Sequence, residues 1–378
     1  MKELIDSINI LNKRQRRTLL NAILTPLSWL YGALVWLRNM AFNCGILKQE
    51  RFDMPVVSVG SITMGGTGKT PHVEYLIEAL CHRYKIGVLS RGYKRNTHGF
   101  VLVTDSLSPI DIGDEPYQLY RKFNGLITLA VCEKRNKGIR EMLRIEPSIN
   151  LFILDDAFQH RSVKPKVNIV LVDYSRPPFD DKLLPLGQLR EPVGRLVHCD
   201  MVVVTKCPSN LSPVDIRAMK ANLNLFRYQN LFFSNISYAD PVPVFPVPNP
   251  QLSSLTWLRP EDTLLCLTCI ADVRPLVRYL RQFPARVKVM HFKDHHYFSR
   301  KDFINIFGKF NELESQRKYI ITTERDMVRF LYNPYYPPTR RDIIFYIPIW
   351  VGILENERQG FIPSLVKKIE EVDSNDYG

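Results

Sequence analysis

The sequence predicts an α/β fold, in which a doubly wound, mostly parallel P-loop sheet is joined by a second, smaller α/β domain and an N-terminal apolar helix. Two observations predict the sheet. Short runs rich in β-branched residues alternate with helical stretches between residues 55 and 206, as expected for parallel strands covered on both faces. The first run leads into a glycine-rich loop and then into a helix, an arrangement typical of phosphate-binding loops.

The predicted strands are near-continuous apolar runs. Those of the larger domain cover residues 55–62, 86–90, 126–131, 149–155, 167–173 and 200–206. Those of the smaller domain cover residues 263–270, 286–292, 318–323 and 342–350. The stretch 71–84 has a helical pattern, and the proline-dense stretch 238–251 is predicted to be a linker, because proline cannot join a central strand. The predicted division of the chain is therefore 1–50, 51–240 and 241–378.

The N-terminal segment combines basic and apolar residues. Residues 13–17 hold four basic side chains, and residues 18–37 carry no charge. Twenty helical residues would reach about 30 Å, just enough to span a bilayer, but polar residues and Pro26 within the run disfavour a span. Trp29 and Trp36 suit the membrane interface better. We therefore predict an interfacial helix on anionic lipid; a core helix of the soluble domain is the alternative.

Composition narrows the class of partner. The net charge of +13 favours anionic partners, either phosphorylated small molecules or an anionic membrane surface. Nucleic acid is not expected, because no zinc-finger or basic-zipper pattern is present. The odd number of cysteines, seven, argues against a full disulfide framework. Cys266 and Cys269 have CxxC spacing but lie in an apolar run, so we expect buried thiols and a reducing, cytosolic compartment.

The glycine-rich loop, residues 59–71, reads VGSITMGGTGKTP. In the usual G-x-x-x-x-G-K-[ST] pattern a glycine would stand at Thr63. The remaining glycines still allow backbone N–H groups to surround phosphate oxygens at a helix N-terminus, with Lys69 reaching the β- and γ-phosphates and Thr70 binding Mg²⁺. The predicted nucleotide-binding residues are Gly65, Gly66, Thr67, Gly68, Lys69 and Thr70. No aspartate follows Lys206 at the spacing of a guanine-binding motif, which favours ATP.

Further polar clusters follow strand ends, where open α/β sheets bind ligands. An apolar strand ends in Asp155 and Asp156, as in the Walker B arrangement that holds Mg²⁺. On an extended chain these two carboxylates point to opposite sides, so at most one of them is an ideal ligand. The cluster SRGYKRN offers basic side chains for a substrate phosphate, namely Arg91, Lys94 and Arg95.

Two more clusters offer groups for proton transfer. The turn DIGDEP presents Asp114 and Glu115, and a kinase needs a carboxylate to accept the proton of the attacking hydroxyl. The stretch HFKDHHYFSRKD holds the pair His295 and His296, and a neutral histidine could assist an aspartate or bind a metal.

Together these stretches resemble one family, the tetraacyldisaccharide 4'-kinases (lipid A 4'-kinases). The matching motifs span roughly residues 25 to 350, in the family's order. They are VGSITMGGTGKTP, LSRGYKR, GDEP, LDDAFQHR, LLPLGQLREP, VVVTK, FKDHHYF and TTERD. Thr63 is then a family trait. Gln188 is a departure, since the family more often has proline there, and it bears on substrate contacts.

The resemblance implies that the γ-phosphate of ATP passes to the 4'-hydroxyl of a tetraacylated glucosamine disaccharide 1-phosphate. It places this step of lipid A biosynthesis at the cytoplasmic face of the bacterial inner membrane. It implies that Asp114 is the catalytic base and His295 its partner, with His296 as the alternative, and that Lys69 contacts phosphate. The implied residues near Mg²⁺ are Thr70, Glu115, Asp155 and Asp156. The implied substrate-binding residues are Arg91, Tyr93, Gln159, His160, Arg190 and Glu191.

A different class of protein remains as the alternative. The G-G-x-G-K-T form also resembles the MinD-like branch of P-loop ATPases, which act as membrane-associated switches. That branch places a lysine immediately before the two glycines, where this sequence has Met64. The sequence therefore favours the kinase over the switch. A GTPase is a third and weaker alternative.

Overall fold

The computed structural model describes residues 13–248, 250–294 and 296–371. The chain forms two compact units, and neither is continuous in sequence. The first unit takes its described residues from the segment that ends at Thr67, from Asp156–Ser234 and from Leu354 onward; the second comprises Gly68–Asp155 and Asn235–Ile353. These boundaries do not coincide with residues 50 and 240, and the predicted division into domains stays a prediction.

The secondary structure alternates between strands and helices. The strands are β1 (Val56–Gly60), β2 (Ile86–Ser90), β3 (Val101–Leu102), β4 (Ile127–Val131), β5 (Leu151–Asp155), β6 (Val167–Asp173), β7 (Met201–Thr205), β8 (Asn230–Tyr238), β9 (Val242–Pro243), β10 (Thr263–Thr268), β11 (Arg286–His291), β12 (Lys318–Thr323), β13 (Ile344–Ile347) and β14 (Ile349–Ile353). The α-helices are α1 (Lys13–Asn43), α2 (Lys69–Leu80), α3 (Pro109–Ile112), α4 (Asp114–Phe123), α5 (Arg135–Ile145), α6 (Pro213–Leu223), α7 (Arg274–Leu280), α8 (Arg300–Asn311), α9 (Glu324–Leu331) and α10 (Glu355–Glu370). Short 3₁₀ helices cover Pro178–Asp180, Val193–His198, Leu255–Trp257 and Pro338–Arg340.

The first unit is built on parallel strands in the order β8-β7-β6-β1. The register sets Val57 opposite Val167 and Val204 opposite Phe233. Strands β1, β6 and β7 are buried along almost their whole length, which explains why they read as continuous apolar runs rather than alternating ones. Their side chains form a core that includes Val172, and α10 packs against β6.

The second unit contains two strand arrays. In one, β5, β2 and β4 are parallel and β3 is an antiparallel edge strand. In the other the order is β11-β10-β12-β13-β9, and every pair is parallel except β13–β9. The strand β9 lies inside the predicted linker 238–251, and it occupies the edge of the sheet, the position that proline permits.

The predicted mixed α/β fold with a mainly parallel sheet is confirmed. Three predicted strands, 86–90, 167–173 and 318–323, have the predicted bounds. The stretch 342–350 was predicted as one strand but forms β13 and the start of β14, with Pro348 between them. Proline has no N–H to donate to a ladder, so the run is interrupted there. Among the described residues, no helix combines the length and the apolar character needed to cross a membrane.

Candidate active site

The predicted phosphate-binding loop connects β1 to α2. Gly65 and Gly68 have φ values of +100° and +84°, a region that side-chain-bearing residues rarely adopt. A Cβ at Gly66 would meet nothing within 4 Å, so the backbone borders open space. Helix α2 begins at Lys69 with Gly68 as its N-cap, and Thr70 is its second residue. Backbone N–H groups at such a helix start form an anion site.

Two residues to which the sequence analysis gave no role, Thr205 and His72, hold this loop in place. Thr205 donates its hydroxyl to the carbonyl of Thr67 at 2.9 Å. His72 donates Nδ1–H to the carbonyl of Gly68 at 2.7 Å. Burial lowers the pKa of His72 to about 4, so the imidazole is neutral and its tautomer is fixed by the carbonyl acceptor.

The position of the missing glycine is also explained. Thr63 is buried and forms an antiparallel bridge with Leu189, while Met64 donates its N–H to the carbonyl of Gln188 at 2.7 Å. A side chain at residue 63 therefore faces protein. Arg176 lies beside the loop, because its Nη2 is 3.3 Å from the place that a Cβ would take on Gly65.

The two predicted Walker B carboxylates have different surroundings. Asp155 is the last residue of β5 and is 2% exposed, and Ser90 donates its hydroxyl to Oδ2 at 3.2 Å. Asp156 has left the strand conformation, with φ +47°. Its carboxylate accepts from Nη1 of Arg190 at 3.2 and 3.3 Å. The expectation that at most one of them is an ideal Mg²⁺ ligand assumed an extended chain at both residues, and Asp156 is not extended. That expectation and the assignment of both carboxylates to Mg²⁺ stay predictions.

Two predicted substrate residues support the fold around the loop. Gln159 donates Nε2–H to the carbonyl of Ser61 at 2.6 Å. Glu191 is 1% exposed and accepts from Asn39 at 2.8 Å and from Arg38 at 3.4 Å, both on α1. Glu191 thus anchors the N-terminal helix in this unit. His160 follows at the same turn and is half-buried. The substrate roles of these residues and of Arg190 stay predictions.

The loop after β2 packs against the turn that carries Asp114. A Cβ on Gly92 would lie 2.8 Å from the carbonyl of Ile112, and one on Gly113 would lie 3.0 Å from the carbonyl of Tyr93. This close backbone contact brings the motifs SRGYKR and GDEP together, as the resemblance implies for one site. Arg91 and Tyr93 are exposed, as substrate-binding side chains need to be.

Arg95 does not have the predicted role of a phosphate ligand. Its side chain is 2% exposed, and it donates to Glu133 and to the carbonyl of Gly99, both at 2.5 Å. Its two terminal nitrogens therefore bind protein acceptors, and the side chain is buried away from a substrate. The sequence could not indicate this, because Glu133 lies far along the chain on a different strand end.

Asp114 and Glu115 occupy the first turn of α4, where the helix dipole favours negative charge. Two arginines of α9 bind them. Arg329 donates Nε–H to Oδ2 of Asp114 at 3.0 Å, and its Nη2 donates to the same oxygen. Arg325 lies 3.8 Å from Glu115 and also pairs with Asp294. Burial lowers the pKa of Arg329, but the hydrogen bond and charge of Asp114 raise it overall.

The two predicted histidines have different outcomes. His295 lies outside the described residues. The Nε2 of His296 is 3.1 Å from Oδ2 of Asp302, which also accepts from the N–H and hydroxyl of Ser299 in the cap of α8. Burial opposes the charge of Asp302, but the hydrogen bonds of Ser299 and His296 lower its pKa overall. His296 is therefore tied to the start of α8.

Comparison with known proteins identifies the family. The family model for tetraacyldisaccharide-1-P 4'-kinase, LpxK, matches residues 20–369. The tetraacyldisaccharide 4'-kinase of Bacteroides thetaiotaomicron is 42% identical over 359 residues, which cover 93% of this chain and 94% of that protein. The chain belongs to the tetraacyldisaccharide 4'-kinase family. The corresponding enzyme of Flavobacterium johnsoniae is 38% identical and covers 93% of this chain and 98% of its own.

A solved structure gives the same result for the fold. LpxK from Aquifex aeolicus, in complex with ATP, matches with a TM-score of 0.69 and 26% identity, covering 93% of this chain and 99% of that one. The predicted membership of the 4'-kinase family is therefore confirmed. The motif TTERD was part of that resemblance, but its arginine and Arg329 had not been given roles. The sequence did contain a signal for a pair of arginines that act together. Arg325 and Arg329 are four residues apart on a helix, and this spacing places both on one face.

Proposed function

We propose that this member of the 4'-kinase family transfers the γ-phosphoryl group of ATP to the 4'-hydroxyl of a tetraacyldisaccharide 1-phosphate, a step of lipid A biosynthesis. One observation carries the proposal. A phosphate-binding helix start with Lys69 and Thr70 and a helix-start carboxylate, Asp114, belong to the same compact unit, in which α2 packs against both β5 and α4. Family membership supplies the acceptor.

The phosphate side of the reaction is electrostatic. Lys69 and the N–H groups at the start of α2 would bind the β- and γ-phosphates and stabilise the charge that develops during transfer. As the acceptor oxygen bonds to the γ-phosphorus, the bond to the bridging oxygen breaks and ADP leaves. The hydroxyl proton would pass to the carboxylate of Asp114, which loses it later to solvent.

Mg²⁺ is implied by this chemistry, and the residues fit it. Magnesium prefers hard oxygen donors and is usually bound by one or two carboxylates together with phosphates and water. Asp155 offers a buried carboxylate at a strand end, and Thr70 offers a hydroxyl at the start of α2. When bound, the ion would neutralise phosphate charge. Within the described ranges, no cluster of three or more His, Cys, Asp or Glu side chains could hold a metal ion.

We also propose that α1 places the protein on an anionic membrane surface, at the cytoplasmic face of the inner membrane. Ser28 donates to the carbonyl of Leu183 at 2.8 Å, and Tyr31 donates to the carbonyl of Arg190 at 2.9 Å. The opposite face is apolar and exposed, with Trp29 at 74%. Its other exposed members are Ile23, Leu27, Leu30, Leu34, Trp36 and Leu37. Such a face suits the boundary between headgroups and acyl chains.

The division into segments 1–50, 51–240 and 241–378 is likewise a proposal. All strands of the array β11-β10-β12-β13-β9 fall within 241–378, which supports a smaller α/β domain in that part of the chain.

An acceptor-dependent assay tests the kinase. Purified protein with MgATP should phosphorylate the acylated disaccharide 1-phosphate, and ATP consumption should require that acceptor. Asp114→Ala should lower kcat by roughly 10²-fold or more, while ATP still binds. ATP hydrolysis that ignores the glycolipid, with dimerisation on nucleotide, would instead support a MinD-like switch.

A separate experiment tests the membrane surface. Trp29→Glu combined with Leu34→Glu should reduce co-sedimentation with vesicles that contain anionic phospholipid. Trp257→Glu is the matched control, since Trp257 is 62% exposed but lies far from α1 in sequence and belongs to the other unit. Equal sedimentation of the wild type, the double variant and the control would exclude α1 as the docking face.

A further inference from the structure

Arg329 contacts several parts of the predicted acceptor side at once. Its side chain is 4% exposed. Nε and Nη2 both donate to Oδ2 of Asp114, and Nη1 donates to the carbonyl of His296 at 3.4 Å. Nη1 also lies 3.4 Å from Oδ1 of Asp326. One guanidinium therefore joins the carboxylate, the histidine-bearing loop and its own helix.

The guanidinium of Arg329 is also fixed by Asp326, a buried residue of the same helix. Asp326 is fully buried and accepts the N–H of Cys269 through Oδ2 at 2.8 Å. Thr323 caps α9 by accepting the N–H of Asp326 at 3.1 Å. A buried arginine that is fixed on both sides presents its planar fork of donors with little loss of freedom on pairing. The arrangement can therefore define the direction of a carboxylate.

We infer that Arg329 is a positioning residue for phosphoryl transfer, which holds the carboxylate of Asp114 in the orientation that receives the proton of the acceptor hydroxyl. This inference rests on the proposed kinase function. Both hydrogen bonds from the guanidinium converge on Oδ2, so rotation of the carboxylate would break them together. Arg329 acts through Asp114 and does not need to touch the substrate.

Pairing with a cation weakens a carboxylate as a base, so the benefit must come from geometry. In phosphoryl transfer the transition state is loose, and positioning contributes more than proton removal. A misplacement of about 1 Å can cost on the order of 10²-fold in rate. We therefore expect the orientation that Arg329 provides to raise the rate by more than the pairing with a cation lowers it.

The experiment compares Arg329→Ala and Arg329→Lys in the acceptor-dependent assay with MgATP. Arg329→Ala should lower kcat by about 10²-fold, and the KM for ATP should change by less than about threefold. Arg329→Lys keeps the charge without the fork, and should lose about tenfold. Guanidinium chloride at low millimolar concentration should restore part of the activity of Arg329→Ala, whereas sodium chloride at equal ionic strength should not.

A double-mutant cycle separates positioning from a general structural effect. If Arg329 acts through Asp114, adding Arg329→Ala to Asp114→Asn should cost less than about threefold beyond Asp114→Asn alone. Arg274→Ala is the matched control, because Arg274 pairs with Asp272 but is 84% exposed, and it should keep the activity of the wild type.

The outcomes are distinct. Wild-type kcat in Arg329→Ala, or losses that multiply in the double variant, would overturn the inference while leaving the kinase function intact. If Arg329→Ala does not fold, Arg329→Lys with normal turnover would overturn it equally. A wild-type protein that does not phosphorylate the acceptor would remove the proposed function, and this inference with it.

Discussion

The phosphate loop and the acceptor side are held by different kinds of contact. The loop from residue 61 to 70 depends on glycine conformations and on main-chain carbonyls, as with Thr205 on Thr67 and His72 on Gly68. The acceptor side depends on side-chain ion pairs, and Asp114 is separated from Arg329 by 215 residues in the chain. The glycine conformations of the predicted phosphate loop are encoded locally, although Thr205 contacts the loop from 138 residues away. The orientation of the predicted base, in contrast, depends on a side-chain pair that only the folded unit brings together.

The difference explains what the sequence could predict. A strand followed by a loop with Gly65, Gly66, Gly68 and Lys69 suffices to predict a phosphate loop, since the glycine requirements are local backbone properties. Long-range pairs leave no such pattern. Arg329 binds Asp114, and Glu133 binds Arg95, and each contact bears on the role predicted for the partner. Nothing near Arg329 or Glu133 in the sequence indicates these partners.

The largest expected effect is at the loop. Lys69→Ala should lower kcat for acceptor phosphorylation by about 10³-fold, because the lysine would no longer stabilise the negative charge of the phosphoryl group during transfer. Lys137→Ala is the control, since Lys137 is exposed on α5. A loss of less than about tenfold would show that main-chain groups alone supply the electrostatic stabilisation, which would sharpen the comparison further.

The second effect is at the junction of the two acceptor-side loops. Gly92 has φ +69°, and a Cβ there would lie 2.5 Å from Cδ of Arg95 and 2.8 Å from the carbonyl of Ile112. Gly92→Ala should lower the free energy of unfolding by about 2–4 kcal/mol, since strain and a backbone clash add. It should also lower kcat. Urea unfolding and the acceptor assay measure the two changes.

Gly125 provides the matched control for that substitution. Its φ is +82°, but a Cβ there would meet nothing within 4 Å. Gly125→Ala should therefore cost only the backbone strain, about 1–2 kcal/mol, and leave kcat unchanged. Equal unfolding free energies for the two variants would mean that the contact between the loops does not contribute.

The third prediction tests whether a side chain from outside the loop, that of Arg176, contributes to ATP binding. The guanidinium of Arg176 lies beside Gly65, within reach of a phosphate in the loop. Arg176→Ala should raise the KM for ATP by about tenfold through loss of a charge-assisted hydrogen bond. Arg217→Ala, an exposed arginine of the same unit, should leave it unchanged. An unaltered KM in both variants would leave the loop with Lys69 and main-chain donors only.

Most of the strands could be predicted, and the reasons for the exceptions are physical. Buried parallel strands such as β6 and β12 read as continuous apolar runs, so their bounds were predicted correctly. The run 342–350 has the same composition, but Pro348 interrupts it. In the linker, proline still allows the edge strand β9. Strands β3 and β8 were not predicted. Only the middle of β8 is buried, so it lacks the continuous apolar run that identifies the other parallel strands. The remaining departures in the described part of the chain lie mainly where proline or long-range pairing decides.

The smallest expected effect concerns Glu74, a buried carboxylate at the junction of α2, which follows the phosphate loop, and α4, which carries Asp114. Glu74 on α2 accepts from Gln118 and Lys122 of α4, each at 2.7 Å. Glu324 of α9 adds a second negative charge. Burial and Glu324 raise the pKa of Glu74 to about 7, although Lys122 opposes this. These contacts join the phosphate-loop helix, the Asp114 helix and the arginine helix within one unit.

The sign of the pH dependence follows from that shift. In the unfolded chain Glu74 ionises near its ordinary pKa of 4.5, whereas in the folded chain it keeps its proton up to about pH 7. The folded state therefore binds more protons in this window, and stability falls as pH rises from about 4.5 to about 7, then levels. Glu74→Gln should flatten this part of the profile of unfolding free energy against pH. Glu78→Gln should retain it, because Glu78 lies one turn along α2 with a side chain 53% exposed. An unchanged slope in Glu74→Gln would assign the titration to Glu324, and the junction of the three helices would then depend on α9 rather than on α2.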